Sequence, residues 1–191
     1  MHLQTFAASQ PFSLIILLFL AISLPTNSQE FSTELFKREM GRSERLTHLH
    51  FYLHEALRGD ATAVVVAQAA TTYTYRYRFG EVLVFDDRLT EGPNLSSRVV
   101  GRAQGMYAHA DVEELGQLMA FNYVFTEGRF NGSTLSVLGR DTPLSAEREM
   151  SVVGGSNVFQ FARGYVRMRE YLDDLDRGVV VDEHDLYVLR Y

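Results

Sequence analysis

The chain has no cysteine and no tryptophan among its 191 residues. The missing thiols exclude disulfides, thiol nucleophiles, zinc–thiolate sites and thiol redox chemistry. A fold without disulfides must be held by its own core, helped by association between subunits. The missing indoles leave any aromatic pocket to be built from Phe and Tyr, which number 13 and 10. Lysine and arginine total 18 against 24 acidic residues, a formal charge of −6, and they form no dense patch. That balance excludes nucleic acid and an anionic membrane surface as partners. Charge is absent altogether from residues 1–28, which contain no Asp, Glu, Lys or Arg. Long helical periodicity is missing too, since nothing after Leu46 sustains it beyond about three turns. There is no internal repeat and no low-complexity tract.

What is present begins with an apolar run, Phe12–Leu24, followed by the small polar exit Pro25-Thr26-Asn27-Ser28. The run is shorter than the roughly 20 residues a membrane span requires, so residues 1–28 read as a secretory signal peptide. The polar stretch 29–45 reads as a mobile arm, and 46–191 as a single domain large enough to bury its own core. Two sequons, Asn94-Leu95-Ser96 and Asn131-Gly132-Ser133, fit that secretory route and predict solvent-facing loops.

From Thr47 to His54 the residues alternate: Leu49, Phe51 and Leu53 fall on one face, and His48, His50, Tyr52 and His54 on the other. This period of two marks a strand with two unlike faces. Further strands are predicted over 61–68, 81–85, 97–107, 118–126, 133–139, 149–153, 159–169 and 179–189, with Gly punctuating the turns. Asp111–Leu118 reads as one short helix or turn. Around eight short strands at near-ten-residue spacing predict either a sandwich or a closed antiparallel barrel. Apolar or aromatic residues on both faces of several strands favour an all-β, eight-stranded antiparallel β-barrel, wide enough to hold one small ligand.

Several segments, in this order, resemble a known family. They are Leu49–Glu55 (LHFYLHE), Phe79–Asp87 (FGEVLVFDD), Leu89–Pro93 (LTEGP), Val100–Tyr107 (VGRAQGMY) and Phe125–Leu135 (FTEGRFNGSTL), then Gly139-Arg140-Asp141, Arg148-Glu149, Val152–Gly155 and Phe161–Tyr165 (FARGY). Together they are similar to the plant dirigent proteins over essentially all of residues 46–191. The resemblance implies a barrel of the allene oxide cyclase type, secreted to the apoplast and assembled as a homo-oligomer, a trimer favoured and a dimer the alternative. It implies a role in lignan-type phenylpropanoid biosynthesis: steering the coupling of two phenoxy radicals, such as those of coniferyl alcohol, to one stereoisomer. Such a protein has no cofactor and no oxidative centre, and relies on a separate oxidase for its radicals. Related members handle quinone methides, and some catalyse the dehydrating ring closure to pterocarpans. A non-catalytic carrier of an aromatic metabolite is a third reading. The chain departs from the family pattern at Glu55, usually Asp, at Gly154-Gly155-Ser156-Asn157, usually Gly-Gly-Thr-Gly, and at Gln160, often Arg. It also lacks the cysteine pair of the lignan-forming branch, which places it outside that branch.

By position in those motifs, Glu55 and Asp141 are the expected cavity acids, and Arg148 the expected partner of one carboxylate. A carboxyl in an apolar barrel keeps its proton to higher pH, and an acid of that kind can protonate an oxygen that gains charge during the reaction. Tyr107 would hydrogen-bond or stack on an aromatic ligand. The same residues have plainer readings. Glu55 could be a loop charge before Arg58-Gly59-Asp60, Asp141 a turn cap or a structural ion pair with Arg148, and Tyr107 a core side chain. His48, His50 and His54 share a chelating spacing, but no third element supplies a partner, so no metal is expected. Asp86-Asp87 point to opposite faces and read as a strand end and turn. The stripe Tyr73–Arg78 reads as a surface strand or a strand between protomers.

Overall fold

The computed structural model describes residues 43–174 and 176–191. The expected signal peptide and nearly all of the expected arm lie outside the described residues. Nine strands follow one another: β1 (Arg45–Ala56), β2 (Ala63–Gln68), β3 (Glu81–Thr90), β4 (Val99–His109), β5 (Gln117–Phe125), β6 (Thr134–Asp141), β7 (Arg148–Gly155), β8 (Arg163–Asp174) and β9 (Val179–Arg190). From β3 to β9 each strand pairs antiparallel with the next, and β9 pairs with the whole length of β1. The ring shuts where β1 meets β3, so eight strands form the closed barrel.

That closure is partial. β1 pairs only with the last residues of β3, Arg88–Thr90, while Glu81–Phe85 at the start of β3 pair with β2. β1 and β3 therefore diverge along their length, and β2 runs beside β3 where β1 has left it. At the tight end of the seam the outward-facing His54 is buried, and its Nε2 lies 2.7 Å from Thr90 Oγ1.

The two ends of the barrel are filled differently. At one end Phe51, Tyr123, Phe125, Leu135, Phe159, Val166 and Val188 are buried against one another. Two one-turn 3-10 helices, Gly128–Phe130 and Asn157–Phe159, carry aromatic lids into this plug, and the Phe130 and Phe159 rings stack at 5.0 Å. Each such ring contributes roughly 1.5–3 kcal/mol of burial. At the other end the inward residues are longer, polar or separated, and the tube is hollow. Gly105 on β4 lies opposite both Phe85 and Phe121. A methyl group there would collide with Phe121 Cβ and the Ala120 carbonyl, so only glycine lets these strands pack this closely.

Two expectations need correction. β3 does not end at Phe85; it runs through Asp86-Asp87 to Thr90, because Leu89 is apolar at the right alternation to be buried. The Tyr73–Arg78 stripe is not a strand: Thr72–Thr74 form a 3-10 turn and the rest is a loop, with the Arg78 guanidinium over the Tyr73 ring. The segment before β5 takes the turn of its two expected forms, closed by the Glu113 and Glu114 amides donating to Asp111 Oδ1, a common use of aspartate.

Candidate active site

The hollow end encloses a cavity of about 430 Å³, within the range of roughly 300–1,000 Å³ that holds small organic ligands. Leu53, Leu83, Phe85, Met119, Phe121, Met150 and Met168 form its apolar wall. Glu55, Tyr107, Asp141 and Arg148, drawn from four different strands, all face this one space. Strand alternation explains the placement: each continues the inward alternation of its strand, set by Leu53 for Glu55, Ala103 for Tyr107, Leu135 and Val137 for Asp141 and Met150 for Arg148.

The acids fall into two groups. In the first, the Tyr107 hydroxyl donates to Glu55 Oε1 at 3.1 Å. Burial raises the Glu55 carboxyl from its ordinary 4.5 to about 7, against the Tyr107 hydrogen bond that lowers it. Burial and the adjacent carboxylate push the Tyr107 phenol well above its ordinary range, so it stays protonated and serves as a donor. In the second group Arg148 sits between two carboxylates, 3.1 Å from Asp141 Oδ2 and 2.6 Å from Asp182 Oδ1. Asp141 is also raised, by burial first, with the Asp182 carboxylate adding to that rise and Arg148 opposing it. Asp141 Oδ1 and Arg148 Nε are buried without a hydrogen-bond partner. Unsatisfied groups of this kind are costly to bury and are suited to receive a ligand's polar atoms.

Sequence reasoning missed Asp87, Asp182, His184, Glu81 and His109, which also line the cavity. For Asp87 the signal was present: Leu83, Phe85 and Leu89 share its alternation, so continuing the strand puts Asp87 inside. Burial, then the charge of Glu55, raises it to about 8. Asp182 and His184 likewise share the alternation of the buried Leu186 and Val188. His184 is pressed down to about 4 by burial, so it is neutral, and its Nδ1 lies 2.7 Å from the Tyr123 hydroxyl at the cavity floor. His48 and His50 lie outside the barrel, both close to Asp185 Oδ1 at 2.8 and 3.1 Å. Among the described residues no group of three or more His, Asp or Glu side chains is arranged to hold a metal ion. Asn94 and Asn131 are both exposed on loops.

Residues 46–189 match the family model described as Dirigent-like protein. Dirigent protein 21 of Arabidopsis thaliana is 46% identical over 180 residues, covering 92% of this chain and 95% of that one. Pterocarpan synthase 1 of Glycyrrhiza echinata is 38% identical over 181 residues, covering 91% and 96%. A solved structure of a pterocarpan synthase dirigent protein superposes with a TM-score of 0.73 at 40% identity, covering 78% of this chain and 87% of that one.

Proposed function

Because the chain belongs to the Dirigent-like protein family, we propose that its cavity guides phenoxy-radical coupling to one stereoisomer in lignan-type biosynthesis. A separate oxidase makes the radicals, which then meet inside the barrel. The apolar wall holds the rings by stacking and burial, and the polar groups fix which faces approach. Coupling leaves a quinone methide, an electrophile whose oxygen gains negative charge as an internal hydroxyl attacks the remote carbon. Glu55 is the acid assigned to that oxygen. Arg148 positions Asp141 through their ion pair, and Tyr107 orients Glu55. The observation that carries the reading is the buried Glu55 carboxyl, raised to about 7 and facing with Tyr107 the chamber walled by Leu53, Phe85 and Phe121. A general acid works best when its pKa is near the working pH.

A second reading has its own support. A pterocarpan synthase is among the relatives, and a raised carboxyl equally suits protonation of a departing hydroxyl in a dehydrating ring closure. In that case the protein turns over substrate by itself.

The chain is proposed to be secreted, by way of the leader over residues 1–28, with Asn94 and Asn131 as glycan acceptors. Assembly into a homo-oligomer, a trimer first, is supported by an apolar row outside the barrel. Val64, Val84, Met106, Ala120 and Leu138 stand in register across five adjacent strands. All but Ala120 are large apolar residues exposed by 40% or more. Contiguous exposed apolar surface of this kind marks an association site.

The test is oxidation of coniferyl alcohol by a laccase with the protein present, followed by chiral chromatography of the lignans. An enantiomeric excess that falls to the protein-free ratio in Glu55→Gln and Asp141→Asn, with folding kept, supports the guide reading. Racemic products with wild-type protein overturn it.

A further inference from the structure

Asp87 is 1% exposed on the inner face of β3, and the function proposed above gives it no task. Two independent features fix its place. The β1–β3 register runs Tyr52↔Thr90, Leu53↔Leu89 and His54↔Arg88. One step further along both strands stand Glu55 and Asp87, the first facing pair past the last ladder contact. A continued ladder would set their Cβ atoms about 4.5–5.5 Å apart, and the first step of divergence leaves room for two carboxyl side chains to meet between the strands. Thr62 supplies the other constraint. Its hydroxyl accepts the Ala56 amide hydrogen at 2.9 Å and donates to Asp87 Oδ1. A single side chain thus ties the Asp87 carboxyl to the residue that follows Glu55.

Two carboxyls at this spacing inside an apolar wall cannot both carry charge without mutual repulsion and loss of hydration. The groups around them do not cancel that charge. Glu55 is faced by Tyr107 from β4, Asp141 from β6, Arg148 from β7 and Asp182 from β9. Asp87 is faced by Glu55 from β1 and Tyr107 from β4, with Asp86 beside it and the outward Arg102 exerting a smaller pull. Arg148 already serves Asp141 and Asp182, and Arg102 is bound to Asp86 on the outer face. The geometry points to Glu55 and Asp87 forming a carboxyl pair across the open seam that rests with both protons and shares the remaining one once Glu55 has given its own away, with Asp87 a positioning residue that steadies the Glu55 carboxylate during the reaction.

The proton balance closes without any other reactant. The O–H bond of Glu55 breaks as a new O–H bond forms on the substrate oxygen. The Asp87 hydroxyl then donates to the Glu55 carboxylate, so no buried charge is left isolated. As the attacking hydroxyl forms its C–O bond, it releases its own proton, which returns to Glu55. No electron is transferred and the pair ends as it began. This cycle rests on the dirigent reading for its substrate, whereas the pairing itself does not.

Carboxyl titration of the 13C-labelled protein by NMR tests the pairing with no substrate present. In Glu55→Gln the Asp87 midpoint should fall by about one pH unit or more, the coupling expected of interacting sites. An unmoved Asp87 midpoint overturns the proposal. Should Glu55→Gln fail to fold, the wild-type curves decide. Coupled groups each follow both protonation steps, and a single independent step at each carboxyl overturns the pairing. A shifted midpoint together with racemic lignans would remove the guide function and leave the pair. An unmoved midpoint with an enantiomeric excess would do the reverse.

Discussion

At the scale of single residues, the barrel carries ionisable groups whose burial makes stability depend on pH in opposite senses. Glu55 and Asp87 are raised from ordinary values of 4.5 and 3.8 to about 7 and about 8. For such groups the stabilising contribution is complete below the unfolded value and is lost as pH rises through the folded one. His184 is lowered from 6.5 to about 4, so its contribution is present above 6.5 and lost as pH falls through 4. Two carboxyls outweigh one imidazole, so these groups together favour the fold most near the ordinary carboxyl range, about pH 4, and less as pH rises from there. Asp87→Asn keeps an acceptor for Thr62 and removes the ionisation. Its melting temperature relative to wild type should therefore rise between pH 5 and pH 9, by at least the 2–4 °C that about 1 kcal/mol produces in a domain of this size. Thermal melts across that range check it, and a constant difference would show that Asp87 does not hold its proton.

At the scale of elements, β3 has two partners on one edge, β2 at its start and β1 at its end. The cavity exists because these partners separate, leaving Glu55 and Asp87 past the last ladder contact. The neighbouring wall depends on close approach between β4 and β5, which Gly105 permits beside Phe121. Gly105→Ala should force these strands apart and cost about 1–3 kcal/mol, the usual penalty for overpacking. Urea denaturation measures this directly. An unchanged midpoint would mean that the β4–β5 contact relaxes freely. Because Phe85 and Phe121 line the cavity beside this glycine, the same variant should also blunt stereoselectivity.

At the scale of the whole molecule, half of the tube is solid and half is empty, so the fold stores its stability at one end and its chemistry at the other. The outer surface divides in a similar way. β1, β8 and β9 carry a polar and aromatic face with His48, Tyr187 and Arg169. β2 to β6 carry the apolar row. Replacing Met106 with Lys and Leu138 with Glu places charge within that row and should convert the assembly to monomer while leaving the barrel folded. Sedimentation velocity and circular dichroism together read this. An assembly unchanged in mass would place the interface elsewhere.

Much of this was legible in the chain itself. The alternation of Leu49, Phe51 and Leu53 is local, and so it declared β1 before any contact was known. The ordered motifs named the family, and through it the closed eight-stranded barrel and the cavity setting of Glu55, Asp141, Arg148 and Tyr107. Asp87 was misplaced because two adjacent acids look like a turn; its burial depends on Leu89, whose own burial is a tertiary fact. Asp182 and His184 were passed over although Leu186 and Val188 share their alternation, because Val181, on the opposite alternation, is apolar too and blurs which face is inward. The sequence by itself determined the strands, the absence of covalent cross-links and the kinship. Only the tertiary structure decided which acids share a space, because carboxyls from β1, β3, β6 and β9 meet through barrel closure. Desolvation then raises Glu55, Asp87 and Asp141 together, and no stretch of sequence contains that sum.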